Sequence, residues 1–250
     1  AVELDGNKLT VDNTVGLPGY AFFGCSALQE VILPAEVKAL GIQAFSNCKS
    51  LTTVNLENVT HVGVVAFSGC AALTSVALPE AIAIYGEAFE STNLTIVDLP
   101  KVTAISVGSF TGNGINGSFA KCKKLTAISA PLLTDAGNGT FSGCDILSTI
   151  TIPRMKAIGE NTFYGCKSLG TISFDNVETV GKNAFRACSA TVINLPKATT
   201  IEAYAFLECG ALTTLKLPAA TTFDNYIVSA CNQLTRIEMT AAGDFGGIGG

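Results

Sequence analysis

The segment Thr140 to Gly159 reads TFSGCDILSTITIPRMKAIG, and Thr162 to Gly181 reads TFYGCKSLGTISFDNVETVG. The two share one plan, offset by 22 positions. A phenylalanine anchor is followed three residues later by cysteine. Then come a leucine, an alternating apolar stretch, a short turn, a second apolar pair and a glycine. A period in the twenties is that of a solenoid, in which each coil of chain buries its apolar face only against the next coil.

The plan extends in both directions. Ten units are led by Phe22, Phe45, Phe67, Phe89, Phe119, Phe141, Phe163, Phe185, Phe206 and Val228. All nine cysteines fall three residues after an anchor: Cys25, Cys48, Cys70, Cys122, Cys144, Cys166, Cys188, Cys209 and Cys231. Unit four departs with Thr92 in the cysteine slot, and units four and eight are each one residue short, before Leu94 and Leu195. In Leu-x-x-Val-x-Leu the last apolar residues alternate, as Val54 and Leu56 do, which is the period of a strand. Seven of the eight prolines follow that strand, from Pro34 to Pro218. Proline lacks a backbone donor and so ends a ladder better than it continues one. Glycine recurs four residues before the anchor at Gly41, Gly63, Gly137, Gly159 and Gly181. A corner with positive φ is the expected reason, since glycine adopts it at little cost.

Leu-Pro after the strand, Ile-Gly at the corner, and Ala-Phe with cysteine three residues after the Phe together resemble the Treponema pallidum-type leucine-rich repeat of BspA-like surface proteins. The resemblance covers about Pro18 to Thr240. It implies a mostly β, curved, right-handed leucine-rich-repeat solenoid of about ten coils of 22–23 residues. A parallel sheet would line the concave face, with short strands or turns opposite, for example at Val177 to Val180. Residues 1–250 are expected to form one such domain. Residues 1–20 would be an N-terminal cap or partial coil, 110–118 an inserted bulge, and 241–250 a degenerate or truncated end.

The anchor spacing jumps from 22 to 30 between Phe89 and Phe119, which locates the bulge at Phe110 to Ser118. It reads either as a glycine-rich surface insertion or as a binding loop. With Asn113 and Asn116 but no Asp or Glu, it is a poor calcium site.

Composition narrows the function further. The net charge is −5, from 15 basic and 20 acidic residues. No basic stripe of the kind a nucleic-acid binder shows is present; Lys121, Lys123 and Lys124 read as a solvated corner. No apolar run approaches the roughly 18 residues of a spanning helix, so no membrane insertion is expected from this segment. The chain starts at Ala1 rather than Met, as a mature or engineered product with its targeting segment removed would, and the resemblance implies a place outside the cell or at its surface.

Residues with catalytic chemistry are sparse. The single histidine, His61, falls at a repeat position held elsewhere by Ala39, Ala104, Ala157 and Thr179, an outward structural place. No Cys-x-x-Cys, dinucleotide glycine motif or facing carboxylate pair is evident. No catalytic, cofactor-binding or metal-binding residue is assigned, and no enzyme is expected. Adjacent strands stack about 4.8 Å apart with parallel side chains. A disulfide needs converging Cβ atoms about 3.8 Å apart. Nine reduced, buried thiols are therefore expected.

Strand alternation identifies the outward residues of the first sheet. One row runs from Glu30 and Thr53 through Thr149, Thr171 and Val192 to Thr214 and Arg236. The other runs from Ile32 and Asn55 through Thr151 and Ser173 to Asn194, Lys216 and Glu238. The candidate protein-binding face is Thr149, Thr151, Thr171, Ser173, Asn194, Thr214 and Lys216, small and hydroxyl-rich. Tyr85, Tyr164, Tyr204 and Tyr226 are expected off this sheet, near the corners. The resemblance implies adhesion of a monomer to an extracellular or cell-surface protein. A glycan is the alternative partner, and a structural spacer the alternative role.

Overall fold

The computed structural model of the chain describes residues 2–12, 16–107 and 117–240. Most of the bulge, 110–116, and the segment 241–250 lie outside the described residues. The first half holds strands β1 Val2–Asp5, β2 Lys8–Val11, β3 Gly16–Leu17, β4 Glu30–Ile32, β5 Ala39–Leu40, β6 Thr53–Val54, β7 His61–Val62, β8 Ala83–Tyr85, β9 Ile96–Asp98 and β10 Ala104–Val107. The second holds β11 Ala127–Ser129, β12 Thr149–Thr151, β13 Ala157–Ile158, β14 Thr171–Ser173, β15 Thr179–Val180, β16 Val192–Asn194, β17 Thr200–Ile201, β18 Thr214–Lys216, β19 Thr222–Phe223 and β20 Arg236–Glu238. They stack in two parallel rows as a β-solenoid of about ten coils. Each coil contributes a front segment after its leucine and, where described, a back segment before its glycine. At the N-terminus β1 folds antiparallel onto β2, and β2 and β3 continue the front and back rows against β4 and β5.

The repeat builds this because each conserved apolar position points inward. Val31, Val97, Ile128, Ile193 and Leu215 are buried at the centres of front strands. The anchors form a ladder of stacked rings through the middle. Ring centroids from Phe22 to Phe206 follow one another at 5.2–6.0 Å, with interplanar angles of at most 17°. The step across the insertion, Phe89 to Phe119, is 5.5 Å, so the extra residues leave the core spacing intact. Continuous burial from Leu9 to Ile227 makes one apolar core.

A third hydrogen-bond ladder joins the anchor corners. Gln43, Phe45 and Asn47 donate their N–H groups to Val64, Ala66 and Ser68 of the next coil. Nearly every such corner is bracketed by left-handed residues two before and two after the anchor, as at Asn161 (φ 57°) and Gly165 (φ 68°) around Phe163. The cysteine thiol completes the corner. Cys70 Sγ donates to Phe45 O at 3.1 Å and Cys144 Sγ to Phe119 O at 3.1 Å, so these thiols satisfy the buried anchor carbonyl of the coil before, whereas Cys188 Sγ accepts from Ala190 N at 3.3 Å. A small apolar residue with one weak donor fits that demand. Thr92 uses its hydroxyl differently, bonding Phe89 O of its own coil at 2.9 Å and meeting Cys122 Sγ of the next at 3.3 Å.

Three sequence expectations are corrected here. Of the five corner glycines, only Gly137 has positive φ. The others are glycine because the preceding coil's backbone passes too close. A Cβ at Gly159 would lie 2.7 Å from Gly137 C, and one at Gly181 2.8 Å from Glu160 N; at Gly41 and Gly63 it would also overlap backbone. The thiols are all free, but Cys25 is exposed and Cys231 half-buried. These two belong to the first and the last unit of the described array. Tyr85 ends the back strand β8 rather than sitting at a corner; its ring lies 6.4 Å from that of His61 in β7.

Candidate functional site

The back row is continuous. β3, β5, β7, β8 and β10 pair in turn, with a register shift between Ile105 and Val107, Asp135 bridges Ala104 to Ala157, and β13, β15, β17 and β19 carry on. The front row is not. It forms three separate sheets, β1-β2-β4-β6, β9-β11-β12 and β14-β16-β18-β20. The first break falls at unit three, where Thr74 to Ala77 form no strand. The second falls between β12 and β14, in the middle of the candidate face.

The residues of unit seven account for this second break. Across the other units the equivalent residue is Gln29, Thr52, Thr74, Thr95, Thr126, Ser148, Thr191, Thr213 and Thr235. Its N–H bonds the preceding coil's carbonyl in most units, and its hydroxyl often does so as well, as when Thr126 Oγ1 donates to Thr95 O at 2.9 Å and Thr213 Oγ1 to Thr191 O at 2.9 Å. Unit seven has Gly170 there, with no hydroxyl to tie it back. It also has Phe174-Asp175 in place of Leu-Pro. The larger Phe174 ring occupies the space behind the strand, 5.9 Å from Phe163. Ile150 of β12 is only half-buried, as Val76 is at the first break, whereas Val97, Ile128, Ile172 and Ile193 at the same position are buried.

The result is a slot in the front face, bounded all round. Two adjoining cavities of about 380 and 280 Å³ share Ile150, Ser173 and Phe174. Met155 and Phe174 floor one and Leu169 the other. Above, Ser168 Oγ donates to Asp145 O at 2.9 Å; below, Asn176 Nδ2 donates to Pro153 O at 2.9 Å. Behind it β13 pairs with β15, and the Phe141 and Phe163 rings stack at 5.6 Å. Coils six and seven are therefore tied at both ends and at the back, and parted only along the strand.

The structure places the candidate residues in two groups. Thr149 and Thr151 are exposed on one wall, and Thr171 and Ser173 on the other. Asn194 and Lys216 continue the Ser173 row across β16 and β18, while Thr214 continues that of Thr171 through Val192. Polar contacts link several of them. Asn194 Nδ2 donates to Ser173 Oγ at 3.0 Å, and Ser173 Oγ to Asp175 Oδ1 at 3.1 Å. Lys216 is paired with Glu238 at 3.2 Å, which Arg236 also meets at 2.9 Å, so its charge is largely offset locally. The sequence reading missed Ile150, Gly170 and Phe174. The signal was the departure of two unit-seven positions from their columns.

Elsewhere the chemistry is muted. Among the described residues no group of three or more His, Cys, Asp or Glu side chains is placed to hold a metal ion. Burial, with a smaller contribution from the adjacent thiol, pushes Cys48 and Cys70 up to about 12, and burial pushes Cys122 up to about 11. Such thiols stay protonated and are poor nucleophiles. Of the corner tyrosines, Tyr204 and Tyr226 stack at 5.6 Å and 4°, and Arg186 lies 5.8 Å over Tyr164. Among the described residues no helix is long and apolar enough to cross a membrane.

The comparisons agree with this architecture. No curated protein matches the chain. Among solved structures, a leucine-rich repeat protein from Bacteroides ovatus superposes with a TM-score of 0.79 at 24% identity, over 96% of this chain and 70% of that one. A leucine-rich repeat protein of T. pallidum gives 0.54 at 22% identity, over 68% of this chain and 87% of the other. At these identities the likeness is one of fold. The repeat itself matches the family described as BspA type leucine rich repeat region, in six copies over residues 7–116, 115–198 and 156–243. With nearly the whole chain matched, the protein belongs to the BspA-type leucine-rich repeat family.

Proposed function

We propose that the chain is a non-enzymatic binding protein, secreted or held at a cell surface, that adheres to another protein through its front face at coils six and seven. The carrying observation is the coincidence of the four exposed hydroxyl residues, Thr149, Thr151, Thr171 and Ser173, with the break in the front sheet. An uninterrupted sheet would offer only a flat row of short side chains. The break adds concavity and unpaired main chain, which are what binding sites on an otherwise regular scaffold need. Leucine-rich repeats serve widely as scaffolds for protein interaction, and extracellular proteins are the partner class that fits a surface location.

A glycan is the second reading, and one observation favours it. Tyr226 is 50% exposed and stacks parallel on Tyr204, offering a flat aromatic face at the last described corner. Aromatic faces suit the apolar sides of sugar rings.

The test is binding to immobilised extracellular-matrix proteins and glycans at physiological salt, using the native chain, Thr149→Arg/Thr171→Arg and Tyr226→Ala. Saturable capture of a protein, lost in the arginine variant and kept in Tyr226→Ala, is expected. Capture of glycans alone, lost in Tyr226→Ala, would replace the first reading with the second. Capture of neither would leave a structural spacer.

A further inference from the structure

The slot between β12 and β14 has a definite hydrogen-bonding character. Thr149 N donates to Thr126 O, and Ala130 N donates to Thr151 O, so the main chain of Thr149 and Thr151 turns toward β11. Alternation along a parallel strand turns both the N–H and the C=O of Ile150 the other way, into the slot. On the far wall Thr191 N donates to Gly170 O and Phe174 N to Asn194 O. The same alternation turns the main-chain groups of Thr171 and Ser173 into the slot. No backbone hydrogen bond joins the two walls among the described residues.

A residue that presents its N–H and C=O on one open edge is matched by a group carrying an acceptor and a donor side by side. A primary carboxamide is such a group, and the molecule already uses one in this way. At the front of coils one and two, Leu33 N donates to Asn55 Oδ1 at 2.7 Å, while Asn55 Nδ2 donates to Leu33 O at 2.9 Å. There the side chain comes from the next coil. At Ile150 the same pair of groups faces an open cavity.

Gly170 points the same way independently. A Cβ built on it meets nothing within 4 Å, and its φ is not positive. The backbone does not require glycine here, unlike at Gly159 or Gly181, yet this is the position where eight of the other nine units place threonine or serine. The missing side chain leaves the mouth of the slot clear. The exposed Asp175 carboxylate lies beside the cavity, so a neutral group is favoured over an acidic one.

We propose that the slot is a recognition site for a primary carboxamide, an Asn or Gln side chain of the bound protein, held by the main-chain N–H and C=O of Ile150 with the Thr171 and Ser173 edge opposite. This rests on the protein-binding reading above and names what part of a partner enters the face. A carboxylate of the same shape cannot donate to the Ile150 carbonyl, and leaving that acceptor facing another acceptor is costly in a partly desolvated site.

The test uses a ¹⁵N-labelled chain and the blocked peptide acetyl-Ala-Ala-Gln-Ala-Ala-N-methylamide, beside its Gln→Glu counterpart. The cap is a methylamide so that glutamine supplies the sole primary carboxamide. Saturable shifts are expected at the amides of Ile150, Ile152, Thr171 and Ser173, with the glutamate peptide weaker by about tenfold or more. Gly170→Thr/Phe174→Leu, which restores the residues of the other units, should close the slot and abolish the shifts. Gly170→Thr alone, which changes no core residue, should weaken them. Equal binding of the two peptides, shifts confined to other coils, no shifts at all, or shifts unchanged in both variants would overturn the proposal. The two readings can fail separately. A silent glutamine peptide beside protein capture that Thr149→Arg/Thr171→Arg abolishes removes the slot alone. Glutamine-specific shifts in a chain that captures no protein keep the slot and remove the adhesion reading.

Discussion

A single thiol shows how one residue serves the array. Six of the seven buried cysteines fill a small apolar space and donate to the anchor carbonyl of the coil before, Cys188 being the exception, a role the sequence hinted at only by spacing. Seven of the nine are buried, Cys231 is partly covered and Cys25 is open. Titration of the native chain with a thiol reagent should therefore show one fast thiol, removed by Cys25→Ser. The seven buried thiols should react only on unfolding. More than two reactive thiols in the native chain, beyond Cys25 and the partly covered Cys231, would contradict the ladder. The raised thiols also make stability depend on pH. A thiol that holds its proton more tightly in the folded chain contributes stability that is intact below its ordinary value near 9 and is lost as pH climbs toward the folded value of about 12. Melting temperature should fall between about pH 8 and pH 10.5. The fall should be shallower in Cys48→Ala/Cys70→Ala, since tyrosines and lysines titrate alike in both chains. Equal slopes would remove the thiols as the cause.

At the scale of the element, the same residue type means different things in different places. Gly159 is held to glycine by the backbone of the preceding coil, whereas Gly170 has open space around its α-carbon. Gly159→Ala should therefore destabilise by about 1–3 kcal/mol through overpacking. Gly170→Ala should be neutral or stabilising by up to about 1 kcal/mol, because alanine restricts the unfolded chain without native strain. Chemical denaturation of the two variants checks the pair, and comparable losses would refute the assignment. The strands themselves were legible from sequence, since alternation and the following proline marked the front row and the apolar pair before glycine marked the back. What sequence did not reveal was relative spacing. Whether two in-register strands pair depends on neighbouring side-chain volume and ties, here Phe174 and Gly170. That becomes readable only when unit seven is set against the columns of the other units. The left-handed corners were equally hidden, because Gln43, Glu87, Asn161 and Tyr204 share a backbone conformation but no chemistry.

For the whole molecule, stability should behave as a sum over coils and their contacts with neighbours. Phe141 is fully buried and stacks on both Phe119 and Phe163, whereas Phe22 is half-buried and stacks on Phe45 alone. Phe141→Ala should cost about 3–5 kcal/mol, and Phe22→Ala clearly less. The candidate face was read from the sequence as an even row of hydroxyls. The structure sharpens it to a local interruption on a continuous back sheet and an unbroken stack of rings. The measurement that bears most directly on this is amide hydrogen exchange resolved to single residues in the free native chain. The account predicts fast exchange at Ile150, Ile152, Thr171 and Ser173, within coils whose corner and back amides are strongly protected. Uniform protection from Leu147 to Phe174 would mean that the front sheet is closed, and the site argued for here would not exist.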